Sequence, residues 1–187
     1  MSFHSSVRLV VGAFFVVFSV GGGLSARAAD SGKSEFARST IDLGVVVSDV
    51  AQSVKFYTEV IGFKEAPGFT VPADFCADAG LTDNKALNVR VLILGDGDSA
   101  TKLKLMEVPG VTSKKSDNGF IHSQLGFRYL TIFVADGDAV LGRLKKADVK
   151  PLAKGPVSLP AGFPADRMLT VVRDPDGNLI ELIVPKR

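Results

Sequence analysis

The chain states one pattern twice. "IDLGVVVSDVAQSVKFYTEVIGFKEA" begins at Ile41, and "YLTIFVADGDAVLGRLKKADVKPLA" begins at Tyr129. Each copy opens on a β-branched or aromatic run that ends in a small residue and an aspartate, "VVVSD" and "IFVAD". Apolar residues then recur at helical spacing: Val54, Phe56, Tyr57, Val60 and Ile61 in the first, Val140, Leu141 and Leu144 in the second. Asp49 and Asp136 fall where a helix N-cap belongs, and Gly62 where a helix ends. An internal repeat of this length implies two copies of one supersecondary unit sharing a core.

Beyond each helix the unit is completed by strands. A short extended piece and a loop lead to a hairpin, "LNVRVLILGDGDSATKLKLMEV" in the first half and "RMLTVVRDPDGNLIELIV" in the second. The turns "GDGDS" and "DPDGN" have the Gly, Asp and Pro chemistry that reverses a strand. Each half therefore reads β-α-β-β-β: module one over 40–109, a polar linker over 110–127 and module two over 128–185, within one domain spanning 40–185. The stretch "APGFTVPADFCADAGLTDNKA" exceeds an ordinary strand connection and predicts a rim or lid with a short helix.

Residues 1–28 stand apart. A short segment with Arg8, the apolar run "LVVGAFFVVFSV" and the small-residue pair Ala26 and Ala28 form the pattern of a secretory signal peptide, with cleavage expected after Ala28. The run is too short for a bilayer core, which needs roughly 20 residues. Residues 29–39 then form a flexible mature N-terminus, and the destination is periplasmic or secreted. Of the 22 lysines and arginines, Arg8 and Arg27 leave with the leader, so the mature chain carries 20 basic residues against 20 acidic ones. A neutral surface without a basic cluster gives no electrostatic hold on nucleic acid, or on membranes after cleavage. Cys76 is the single cysteine, which excludes an internal disulfide and a Cys-based zinc site and predicts a buried thiol.

The tandem βαβββ modules, the "FYTEVIGF" helix and the closing "DPDGNLIELI" hairpin resemble the vicinal oxygen chelate superfamily, which holds glyoxalase I, extradiol dioxygenases and bleomycin-binding proteins. The resemblance spans about residues 38 to 185. It implies an α+β fold in which paired modules form a curved mixed sheet around a cavity. In metal-using members a divalent cation is held there by side chains from the first and last strand of each module. Members often pair as homodimers, so a homodimer is expected here.

Carrying the register from one repeat to the other places Asp42 opposite Tyr129 and Lys104 opposite Glu181. Those are the four positions that decide the chemistry. Asp and Glu suit a cation; tyrosine would have to lose a proton of pKa about 10, and lysine would repel the metal. The expectation is a Lys104 ammonium in the electrostatic role of the metal, between Asp42 and Glu181, with no cofactor. His4 lies in the leader and His122 in the linker, so two-histidine iron chemistry is not expected. Asp42, Lys104 and Arg128 are the candidate ligand-binding residues; Glu181 and Tyr129 are the candidates for moving a proton. Arg90 and Arg173 could also clamp an anion if they face the cavity.

Three functions compete. The leading expectation is an exported protein that binds a small organic ligand in the cavity without a catalytic metal. The alternative is a metal-dependent lyase or isomerase of the glyoxalase I kind, using a divalent ion. A third is a periplasmic interaction scaffold with a filled interior.

Overall fold

The computed structural model describes residues 35–186. The expected leader and most of the expected flexible segment 29–39 lie outside the described residues. Among the described residues no helix is long and apolar enough to cross a membrane.

The repeat becomes two four-stranded sheets of the same topology. In the first, β1 (Asp42–Val46), β2 (Lys64–Val71), β3 (Leu87–Leu94) and β4 (Thr101–Glu107) lie in the order β1-β4-β3-β2. In the second, β5 (Tyr129–Phe133), β6 (Val157–Ser158), β7 (Arg167–Arg173) and β8 (Leu179–Pro185) lie in the order β5-β8-β7-β6. The opening strand of each module pairs parallel with its closing strand, while the remaining pairings are antiparallel. The fold is α+β as expected, with one four-stranded mixed sheet from each module. The copies also differ in β6, which is only two residues long where β2 has eight.

Each module lays its helix on one face of its sheet. The first helix, α1 (Val50–Lys55), is capped by Asp49, whose carboxylate accepts from the Gln52 N–H at 2.9 Å. It continues as a π-helical turn over Phe56–Ile61, where the helical spacing alone predicts a uniform α-helix. The amides of Gly62 and Phe63 both donate to the Tyr57 carbonyl at 2.9 Å. That wider turn puts Phe56, Tyr57, Val60 and Ile61 together on the buried side. Gly62 ends it at φ 110°, a left-handed conformation that favours glycine. In module two, α3 (Gly137–Lys146) is capped by Asp136 in the same way, accepting from the Ala139 N–H at 2.9 Å.

A single apolar core joins the modules. It includes Tyr57, Leu92, Leu103 and Leu105 from the first, and Val140, Val172, Ile180 and Leu182 from the second. Arg143 of α3 donates to the carbonyls of Val60 and Ile61 at 2.9 Å each, closing the end of the π turn. The "DPDG" turn does more than reverse the chain. Its buried Asp174 accepts from the Tyr57 hydroxyl at 2.9 Å, from the amides of Asp176 and Asn178, and from the Asn178 side chain. Asp176 in turn accepts from the Ser48 amide at 3.0 Å and its hydroxyl at 2.5 Å. Burial first, then the neighbouring Asp174 carboxylate, raise the Tyr57 pKa, so the phenol stays a hydrogen-bond donor.

Candidate functional site

Strand alternation assigns a second face to each sheet, away from the helices. In the first sheet the pairings put Asp42, Lys104, Met106, Val89, Val91 and Ala66 on that face. Most of it is covered. The β2–β3 connection, residues 72–86, contains a short helix, α2 (Ala73–Asp78), that drops a fully buried Cys76 onto Leu87, Val89 and Val91. The predicted rim helix thus serves as a lid already packed in place.

The uncovered end of that face carries an ion cluster. The Lys104 Nζ lies 2.9 Å from Asp42 Oδ2, and an Arg38 guanidinium nitrogen lies 2.6 Å from Asp42 Oδ1. The hydrogen bond from Lys104 is the main cause that lowers the Asp42 pKa, with Arg38 adding to it, against partial burial. Lys104 therefore meets only one of its two expected partners.

The other expected partner, Glu181, stands in the second sheet. Parallel pairing sets it opposite Thr131, whose hydroxyl donates to Glu181 Oε2 at 2.7 Å. The expected Asp42–Lys104–Glu181 network is thus corrected to two separate pairs, because the two positions belong to different sheets, each with a nearer partner on its own opening strand. No motif in the sequence marks Thr131, although period-two reading from Tyr129 places it on the same face.

The exposed face of the second sheet is open where the first is filled. Tyr129, Leu179, Glu181, Leu169, Val171 and Arg173 share it, and they line a cleft of about 520 Å³. Phe120 and Ile121 of the linker and a strap over residues 151–155 add to the walls. At Gly155 a Cβ would stand 3.1 Å from Pro151 Cβ and 3.2 Å from the Thr170 hydroxyl, so the strap's close turn against β7 leaves little room for a side chain. Tyr129 and Glu181 do share a cleft, as the register implies. Asp42, Arg128 and Tyr129 border a second cleft of about 670 Å³ beside the outer strands β1 and β5.

The arginines are mostly committed. Arg128, expected to grip a ligand, instead donates to the carbonyls of Asp117, Ile121 and Phe120 at 2.7, 3.0 and 3.4 Å, and so holds the linker in shape. A carbonyl-rich linker folding back beside β5 offers it acceptors that strand pattern alone could not show. Arg173 lines the cleft but donates to the carbonyls of Gly177 and Gly119 at 2.9 and 3.2 Å. Arg90 pairs with Glu65, its Nε 2.6 Å from the carboxylate. His122 is exposed in the linker, its ring stacked on Phe120 with centroids 5.8 Å apart.

The donor set does not fit a divalent cation. Asp42 is neutralised by two cations, Lys104 is itself one, and Glu181 has a hydroxyl partner. Among the described residues no three His, Cys, Asp or Glu side chains stand together as a group able to hold a metal ion.

Residues 40–182 match the family model described as the Glyoxalase/Bleomycin resistance protein/Dioxygenase superfamily. Solved structures share the fold. A glyoxalase family protein from Bacillus cereus superposes with a TM-score of 0.64 at 17% identity, covering 83% of this chain and 99% of that one. The trypanothione-dependent glyoxalase I of Leishmania major gives 0.55 at 29% identity, covering 79% and 86%. A glyoxylase/bleomycin resistance protein/dioxygenase domain from Frankia gives 0.55 at 19% identity, covering 82% and 100%. No curated protein sequence matches the chain.

Proposed function

We infer a function for this chain from one premise: it belongs to the Glyoxalase/Bleomycin resistance protein/Dioxygenase superfamily. Within it, this protein is an exported, metal-independent binder of a small organic ligand, held in the cleft on the open face of the second sheet. One observation carries the proposal. A cleft of about 520 Å³, within the size range of small-molecule sites, has mainly apolar walls and few polar groups, among them Glu181 and Tyr129. Such a cleft also argues against a scaffold with a filled interior. The leader at residues 1–28 supports export, and the exposed Leu125, Phe127 and Phe133 support pairing of two copies.

Two measurements test the reading together. Nile red, a neutral apolar dye, binds the intact protein and is excluded by Val171→Trp, which fills the cleft. Elemental analysis finds no stoichiometric nickel, zinc, iron or manganese. One metal per chain that disappears in Glu181→Ala, or dye binding unchanged by Val171→Trp, overturns it.

The 29% identity to the Leishmania glyoxalase I supports a second reading, a lyase or isomerase acting on related substrates. Hemithioacetal isomerisation assayed with each added divalent ion separates the two. The binding reading expects no rate above buffer.

A further inference from the structure

Glu181 brings a negative charge into the apolar cleft and makes no ion pair among the described residues. Its one hydrogen bond among the described residues is the neutral hydroxyl of Thr131 on Oε2, at 2.7 Å. The nearby cations have their N–H groups turned to other acceptors or to solvent, although those bonded to neutral carbonyls keep their charge. Lys104, its counterpart in the repeat, is bound to Asp42. Arg173, which shares its face on the neighbouring strand, is turned to the Gly177 and Gly119 carbonyls. Arg128 holds the linker carbonyls. Lys154 lines the cleft from the strap but is exposed, and it makes no ion pair with Glu181.

This arrangement discriminates between ligands by charge. An apolar body entering the cleft displaces water from around a half-buried carboxylate, and stripping water from a charge is costly unless a partner replaces it. A neutral ligand leaves that cost standing, and an anion adds repulsion. A cation offsets it with a charge-assisted hydrogen bond or a direct ion pair. Tyr129 and Phe120 border the same space, and aromatic faces also attract cations. Leu169, Val171 and Leu179 leave apolar wall for the rest of the molecule.

We propose that the ligand of this cleft is a small organic cation, an amine or ammonium head seated on Glu181 with an apolar body against β7 and β8. The inference rests on the binding reading above and goes further by naming the ligand's charge class. Two cations that line the cleft lower the preference: Lys154, which the exposed strap leaves screened by solvent, and Arg173, which keeps its charge while its N–H groups are turned to the Gly177 and Gly119 carbonyls.

A matched series of phenylbutylamine, phenylbutanol and phenylbutyrate tests it by calorimetric or NMR titration of the intact protein. The amine binds at least about tenfold more tightly than the alcohol, the gain of one charge-assisted contact, and the carboxylate binds most weakly. Glu181→Gln removes the advantage of the amine, because the amine loses its ionic partner while the alcohol, no longer dehydrating a charge, binds as tightly as before or more tightly. Added sodium chloride weakens the amine and spares the alcohol, a readout that needs no variant. Alcohol or carboxylate binding as tight as the amine, or an amine advantage that survives Glu181→Gln, overturns the charge assignment while the cleft still binds. Failure of all three to bind overturns the cleft reading and this inference with it.

Discussion

Residues 72–86 of module one and residues 159–166 of module two occupy the same place in the repeat, between the second and third strands. The first connection is long enough to hold α2, and α2 lays Cys76 on the sheet. The second, "LPAGFPAD", is shorter, contains two prolines, forms no helix and leaves Phe163 exposed. One sheet face is therefore filled by its own chain and the other is left as a cleft. Duplicated topology with unequal loops gives unequal faces: one copy is packed over and the other is left open.

The charged positions follow the same division. In module one an aspartate and a lysine satisfy each other, with an arginine beside them. In module two the equivalent closing-strand position holds a carboxylate whose partner is a hydroxyl. A position that holds an ion pair in one copy holds a hydroxyl-bonded carboxylate in the other.

The comparison breaks most sharply under a paired substitution. Val91→Lys forces a charge beneath α2 and costs about 3 kcal/mol or more, whereas Val171→Lys faces the open cleft and costs within about 1 kcal/mol. Urea denaturation of both variants measures the difference; equal losses would mean that the two faces are equally packed. Val171→Lys still abolishes Nile red binding.

A smaller effect sharpens how the modules are joined. Tyr57→Phe removes one donor from the buried Asp174 carboxylate and costs about 1.5–3 kcal/mol, the range for a hydrogen bond to a charged group. Hydrogen exchange locates the loss at the "DPDG" turn and the π turn together, because the bond links them. A change confined to one module would show that the bond does not couple them.

The smallest effect concerns the ion cluster. Lys104→Met weakens the protein by about 0.5 kcal/mol at neutral pH, since the pair is partly exposed and Arg38 remains. The Asp42 pKa is depressed in the folded state, so its contribution is present above the ordinary value of 3.8 and fades as pH falls through the folded value. Stability curves of wild type and variant should therefore converge in acid. Parallel curves down to strongly acid pH would contradict the assignment.

Much of the architecture was legible because it depends on short-range rules. Asp49 and Asp136 cap helices since a carboxylate one residue before a helix finds free amides, wherever the helix lies. The alternation of Tyr129, Thr131 and Glu181 on one face follows from the pleat alone. The fate of Lys104 was not legible. Its reach toward Asp42 rather than Glu181 depends on which sheet each belongs to, and a register carried between repeats is silent about the space between sheets. Arg128 escaped for a related reason: its acceptors are backbone carbonyls, which every residue has and no pattern marks.

Residue order thus settles the repeated topology, the caps, the turns and the buried cysteine, since these arise from neighbours along the chain and from the period of apolar side chains. Which face stays open, and whether a carboxylate meets a lysine or a hydroxyl, emerges only when distant segments take up positions in space. Packing has one volume to fill, and in module two the short connection leaves that volume as a cleft.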